Sequence, residues 1–240
     1  ATAHTENQQT GNAIKIFEEV IKVEIRAAQI NDEVIRAKEN ATYRLAKILR
    51  DKGLVDELIS LQKQILPLFI EFPKSKTAKI TRSLFDLSLT IDPTSQLGPL
   101  GSTQFYAKLV DLSRHIIAWC ETESRSFLRM RIETNLADLL FKQEKYADSL
   151  EILNRLTYEL KKKEDKQLLV ESQLVESKVY HALENVSKAK AALTAVKTTA
   201  NSTYIVPLLQ AEIDFMSGLI AADEKDYILA YSYFYETFEA

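Results

Sequence analysis

Residues 137–153 read ADLLFKQEKYADSLEIL, residues 177–193 read SKVYHALENVSKAKAAL, and residues 218–234 read GLIAADEKDYILAYSYF. One pattern runs through all three. A small residue is followed twelve positions later by a second small residue, and four beyond that by a bulky apolar one. The copies are Ala137, Ser149, Leu153, then Ser177, Ala189, Leu193, then Gly218, Ala230, Phe234, starting 40 and 41 residues apart. A short polar link sits inside each: Gln143-Glu144-Lys145, Glu184-Asn185 and Glu224-Lys225-Asp226. Small residues let two antiparallel helices approach closely, and the bulky residue fills the groove to the next pair. This is the logic of tetratricopeptide-type repeats, stretched beyond their usual period of about 34 residues. It predicts an all-α, right-handed α-solenoid of antiparallel helical pairs.

The composition agrees. With 46% apolar residues the chain can bury a core, and only 5 Gly and 5 Pro in 240 residues favour long helices over turn-rich β structure. A net charge of −3 argues against a general nucleic-acid binder. The single cysteine, Cys120, excludes an internal disulfide and fits a reducing compartment. The longest uncharged apolar stretch, Ile65 to Ile70, is far too short to span a membrane. Residues 1–12 are polar and read as a disordered lead-in. The glycosylation patterns at Asn40 and Asn201 are read as chance matches.

Apolar spacing places helices over Ala13 to Gln29, from an Asn31-Asp32 cap to Lys52 with a stop at Gly53, over Val55 to Phe72 with Pro67 and Pro73 bending or ending it, and over Ser75 to Thr90. Ala46 and Leu58, twelve apart, form an earlier copy of the repeat. Asp92 to Ser102 holds two of the five prolines and two of the five glycines, and is expected to be an insertion loop. Helix resumes over Thr103 to Glu123. Further helices are expected near 125–142, 145–162, 166–183, 187–200, 206–222 and 226–240. The whole of 13–240 is therefore read as one continuous array. Its last helix, carrying Tyr227, Tyr231, Tyr233, Phe234, Tyr235 and Phe238, is apolar on both sides, which is read as a cut end awaiting cover by further chain.

No constellation for chemistry emerges. His4, His115 and His181 are far apart and form no zinc motif. No phosphate-cradling glycine loop and no nucleophile elbow occurs. Cys120 beside Trp119 reads as packing, and His181 as a partly buried packing histidine. No cofactor and no metal are expected. Among charged groups, Lys161-Lys162-Lys163 suits the negative end of a helix dipole. Lys74, Lys76, Lys79 and Arg82 are the best candidate for docking an acidic partner surface, because 76, 79 and 82 share a helical stripe and no acidic residue interrupts residues 72–85. Arg125, Arg129 and Arg131 form a weaker patch.

Several runs carry a resemblance: Glu176-Ser177-Lys178-Val179-Tyr180-His181-Ala182-Leu183, Lys188-Ala189-Lys190-Ala191-Ala192-Leu193-Thr194, Thr198-Thr199-Ala200-Asn201, and Ala230-Tyr231-Ser232-Tyr233-Phe234-Tyr235-Glu236. The chain resembles the PCI-family subunits of the proteasome regulatory-particle lid, most specifically over 155–240. The resemblance implies an N-terminal solenoid followed by a C-terminal PCI domain that this sequence does not include. It implies a non-catalytic scaffold or clamp in the cytoplasm and nucleus, active in ubiquitin-dependent protein degradation. The implied partners are a proteasome core α-ring subunit, a proteasomal ATPase subunit and other lid subunits, with no nucleic acid and no membrane. The alternatives are a scaffold of a paralogous PCI complex such as the COP9 signalosome, a peptide-binding tetratricopeptide adaptor and an all-α phosphopeptide binder of the 14-3-3 kind.

Overall fold

The computed structural model describes residues 13–21, 32–69, 72–91 and 93–239, with side chains from 103 onward in the long central helix. The described residues are helical with no strand. Residues 13–21 form α1. There follow α2 (Asp32–Asp51), α3 (Val55–Leu68), α4 (Lys74–Leu89), α5 (Pro93–Thr122), α6 (Ser126–Lys142), α7 (Tyr146–Lys163), α8 (Lys166–Ala182), α9 (Val186–Ala200), α10 (Pro207–Asp223) and α11 (Tyr227–Glu239). The chain gathers into two compact units, divided after Leu128 within α6, where the sequence reading expects one array. The expected lead-in at 1–12 lies outside the described residues.

The segment expected to be a loop, 92–102, departs from expectation over its described residues, 93–102. It is not a loop: α5 is helical from Pro93 onward. Pro93 stands at the first helical position, where its fixed φ suits a helix and its missing N–H is no loss. The glycines and Pro99 that punctuate the sequence therefore sit within a 30-residue helix. The expected helix from Val55 also stops earlier, at Leu68, one residue past Pro67.

In the first unit α2 packs on α3 and α4, and α3 on α4 and α5. Leu45, Leu58, Ile65, Phe69, Ile80, Leu84 and Phe85 are almost wholly buried there. Gln62 Nε2 spans α3 to α4, donating to Ser88 Oγ (2.6 Å) and the Leu84 carbonyl (3.3 Å). In the second unit α8 contacts α7, α9 and α10, and α10 contacts α9 and α11. Contact between α8 and α10, alternate helices in the chain, is what stacking of helical pairs requires. Val170, Leu174, Leu193, Val196, Ile213, Met216 and Ile220 fill this core.

The small residues of the repeat lie where paired helices touch. Ala137, Ser149, Leu153, Ser177 and Ala189 have no exposed surface, and Leu193 and Ala230 are buried. Ser149 Oγ on α7 donates to the Ala137 carbonyl on α6 at 2.9 Å. Ser177 Oγ on α8 donates to the Ala189 carbonyl on α9, also at 2.9 Å. The twelve-residue spacing thus places a hydroxyl of one helix on a carbonyl of its partner. In the third copy the ring of Phe234 occupies the contact, and a Cβ on Gly218 comes within 2.6 Å of Phe234 Cε1.

The links are built alike. Ser124, Glu144, Glu164, Glu184 and Lys225 all have φ between 53° and 65°, and Gly53 has φ 68°. At most of these the next residue's N–H bonds back to a carbonyl five positions earlier, as Lys145 to Leu140 (3.0 Å), Asn185 to Tyr180 (3.0 Å) and Asp226 to Ala221 (2.9 Å). This is the Schellman closure, which usually employs glycine. The following Asp165, Asn185 or Asp226 then caps the next helix, accepting from the N–H of Leu168, Lys188 or Leu229. One left-handed residue and one capping residue suffice to reverse the chain.

Two expectations follow from this geometry. Glu144→Gly and Glu184→Gly, at exposed left-handed positions, each stabilise the fold by about 0.5–1 kcal/mol in urea denaturation, because glycine has no Cβ to strain. Alanine at the same positions gives no gain. Gly218→Ala destabilises the chain when Phe234 is present. In a Phe234→Ala background the sign reverses, and it stabilises by about 1 kcal/mol, the helix propensity of alanine over glycine. An equal effect in both backgrounds would show that the ring does not enforce the glycine.

Candidate functional site

Among the described residues no helix is long and apolar enough to cross a membrane, and no group of three or more His, Cys, Asp or Glu could hold a metal ion. The surface features are charged and apolar faces. Cys120 is buried, His115 is exposed, and His181 Nε2 lies 2.8 Å from Asp223 Oδ2. His4 lies outside the described residues.

The basic stripe falls on α4, as the spacing requires, but its charge is largely answered within the fold. Lys76 Nζ is 3.4 Å from Asp32 Oδ1 and Lys79 Nζ is 3.3 Å from Glu39 Oε1, both on α2. Arg82 Nε is 3.7 Å from Asp86 Oδ2, one turn along α4. No acidic residue interrupts the stripe in sequence, yet folding supplies two from the neighbouring helix. Such exposed pairs contribute little to stability, but they cancel the field a partner meets. Lys74 is exposed and has no paired carboxylate among the described residues.

The second patch is not one patch. Arg129 pairs with Glu133 and Glu159, and Arg131 with Glu171, whereas Arg125 is buried. Glu133 is almost wholly buried between Arg129 and Arg155 (Oε1 at 3.0 and 2.8 Å). Burial holds its pKa above the ordinary carboxylate value against the pull of both arginines. Arg131–Glu171, Lys178–Glu212 and Lys190–Glu224 are ion pairs that tie one helical pair to the next. Lys197 Nζ lies 4.2 Å from the Tyr233 ring centroid and donates to its hydroxyl. Lys161, Lys162 and Lys163 close the last turn of α7 on an exposed surface.

Within the second unit an apolar groove of about 600 Å³ runs over α8 and α10, floored by Phe141, Ala211, Phe215 and Met216. On α11, Tyr227, Ile228, Tyr231, Tyr235 and Phe238 all face outward.

Against this helical architecture, residues 1–143 match the family model described as the 26S proteasome regulatory subunit RPN6 N-terminal domain. The chain belongs to that family. It is 38% identical over 232 residues to the 26S proteasome non-ATPase regulatory subunit 11 of Dictyostelium discoideum, covering 97% of this chain and 52% of the relative. It is 40% identical over 208 residues to the Arabidopsis thaliana protein described as a homolog of that subunit, covering 87% and 47%. The chain thus spans about half the length of the curated relatives it matches. Among solved structures, the crystal structure of BtubC (BKLC) from P. vanneervenii superposes with a TM-score of 0.61 at 13% identity, covering 97% of this chain and 89% of that one. At that identity the likeness speaks for the helical-repeat fold alone.

One residue of this family member gives a pH expectation. Burial raises the pKa of Glu176 on α8, opposed by Lys161. The folded value therefore lies above the unfolded one of about 4.3, and the folded state holds the proton more tightly. The stabilisation this supplies is complete below the unfolded value and is lost as pH rises through the folded one. Glu176→Gln is thus expected to gain stability over the parent chain between about pH 4 and pH 7 in urea denaturation. A constant difference across that range contradicts the assignment.

Proposed function

We propose that this chain is the solenoid part of a non-catalytic scaffold of the proteasome regulatory-particle lid. It clamps the lid to the proteolytic core and the ATPase ring in support of ubiquitin-dependent protein degradation. Its partners are a core α-ring subunit, a proteasomal ATPase subunit and other lid subunits, in the cytoplasm and nucleus. The observation that carries this reading is the family match over residues 1–143, joined to relatives named as proteasome regulatory subunits along nearly the whole chain.

The architecture supports such a role physically. Helical pairs closed by three-residue links and joined by hydroxyl staples are stiff, so contacts within a pair keep their spacing. A stiff spacer turns two weak contacts into a strong one through effective concentration. The stripe Lys74, Lys76, Lys79 and Arg82 is one proposed contact.

The internal pairing of the stripe dictates how it is tested. Reversing Lys76 alone sets like charges against each other across α2 and α4. The informative variant exchanges both partners: Asp32→Lys with Lys76→Glu, and Arg82→Glu with Asp86→Lys. It keeps the pairings 32–76 and 82–86 and the net charge, gives up the longer Arg36–Asp32 contact, and inverts the stripe at 76 and 82. The tagged parent chain is expected to retain purified proteasome core particle or regulatory particle at low salt and to release it at moderate salt. The exchanged variant, with unchanged helicity and Tm, is expected to bind at least about tenfold more weakly. Undiminished binding by that variant removes the stripe from the interface, and retention of neither particle by the parent chain overturns the role.

A further inference from the structure

The outward side of α11 is apolar along its whole length. Tyr227, Ile228, Tyr231, Tyr235 and Phe238 are each between 51% and 89% exposed. At 3.6 residues per turn these five fall within one arc of about 100°, and the acidic residues Glu236 and Glu239 lie beyond its edge. A different side of the helix faces its own unit. There Tyr233 meets Lys197 of α9, and Phe234 fills the space beside Gly218 of α10. A helix that has one side in its core and turns a second apolar stripe to water presents a surface for association.

The order of the stripe selects the partner. Ile228, Tyr231, Tyr235 and Phe238 are spaced by three, four and three residues, the seam of one helix laid against another. That spacing reads the same in both directions about Tyr233. A second α11 crossing antiparallel at Tyr233 sets Ile228 against Phe238 and Tyr231 against Tyr235, and each contact occurs twice. Twofold association needs this self-complementarity, because residue i meets j wherever j meets i. Cover by further chain, which the sequence reading expects for this face, places no such condition on the order. The charges suit the antiparallel direction as well. The exposed Lys225, at the start of one helix, comes beside Glu239 at the end of the other, while Asp226 is engaged as the cap of its own helix. The Tyr231 and Tyr235 rings already stack on each other, with centroids 6.4 Å apart, so the centre of the face is ordered before association.

We infer that α11 is the interface of a homodimer, in which two copies of this chain pair antiparallel about a twofold axis at Tyr233. Five side chains of this size and exposure withdraw roughly 600 Å² from water on each copy. The total, about 1,200 Å², is the lower end of the range for specific, stable interfaces. The dimer is accordingly a micromolar one. The inference does not rest on the docking role proposed above, whose contact lies on α4 in the first unit.

The test is sedimentation equilibrium of the whole chain from about 1 to 100 µM, where a reversible rise to twice the monomer mass is expected. Tyr231→Glu and Tyr235→Lys change exposed side chains, so helicity and Tm are expected to hold. Each alone is expected to weaken self-association at least about tenfold, because it buries an unpaired charge at both ends of the seam. An equimolar mixture of the two variants is expected to recover the dimer, since the new carboxylate of one copy then faces the new ammonium of the other. Tyr204→Glu, an equally exposed change in the link between α9 and α10, is expected to leave the dimer intact. A parent chain that stays monomeric across the range overturns the inference and leaves the face to another occupant. Undiminished association by the single variants overturns α11 as the interface. Failure of the mixture to recover the dimer overturns the antiparallel pairing.

Discussion

The close approach of paired helices at small residues is the constraint on which the second unit depends. Where Ala137 faces Ser149 and Ser177 faces Ala189, no side chain separates the two backbones, and a serine hydroxyl bridges to the opposite carbonyl. A buried hydroxyl without that acceptor would itself be a cost, so the bond and the proximity require each other. The same need explains Gly218, where the space a Cβ would take belongs to the Phe234 ring. The bulky members of the pattern, Leu153 and Leu193, then reach the cores shared with the next helices. Short links preserve this geometry, since one left-handed residue and one cap leave the chain little freedom to splay a pair.

Electrostatics is organised along the same lines. Cations on one helix are answered by carboxylates a helix away, as in Arg131–Glu171, Lys178–Glu212 and Lys76–Asp32. The exposed pairs are weak individually, so their main effect is on what a partner senses. Of the four cations along α4, two are answered by α2 once it lies beside them and a third by Asp86 on α4 itself.

Much of this architecture was legible in the linear pattern. Helix positions from residue 126 onward fall within a residue or two of those expected, because apolar periodicity and the twelve-residue small pair both express one packing requirement. The reading failed over 93–102, where prolines and glycines signal a loop. Pro93 at a helix start is a helix-compatible residue, and local punctuation does not decide the state of a segment that neighbouring helix can extend through. It also missed the left-handed caps. Glutamate at 144, 164 and 184 gives no glycine signal, although a charged residue followed by Asp or Asn at 164–165, 184–185 and 225–226 was a trace of it.

By itself the sequence determined the all-helical class, the pairing of helices and the family, since these rest on spacing within a single stretch of chain. Only the tertiary structure decided which charges are free. Lys76 and Asp32 are 44 positions apart, and no periodicity relates them. Coulombic neighbours are set by distance in space, and a helical array brings together residues that the chain holds far apart.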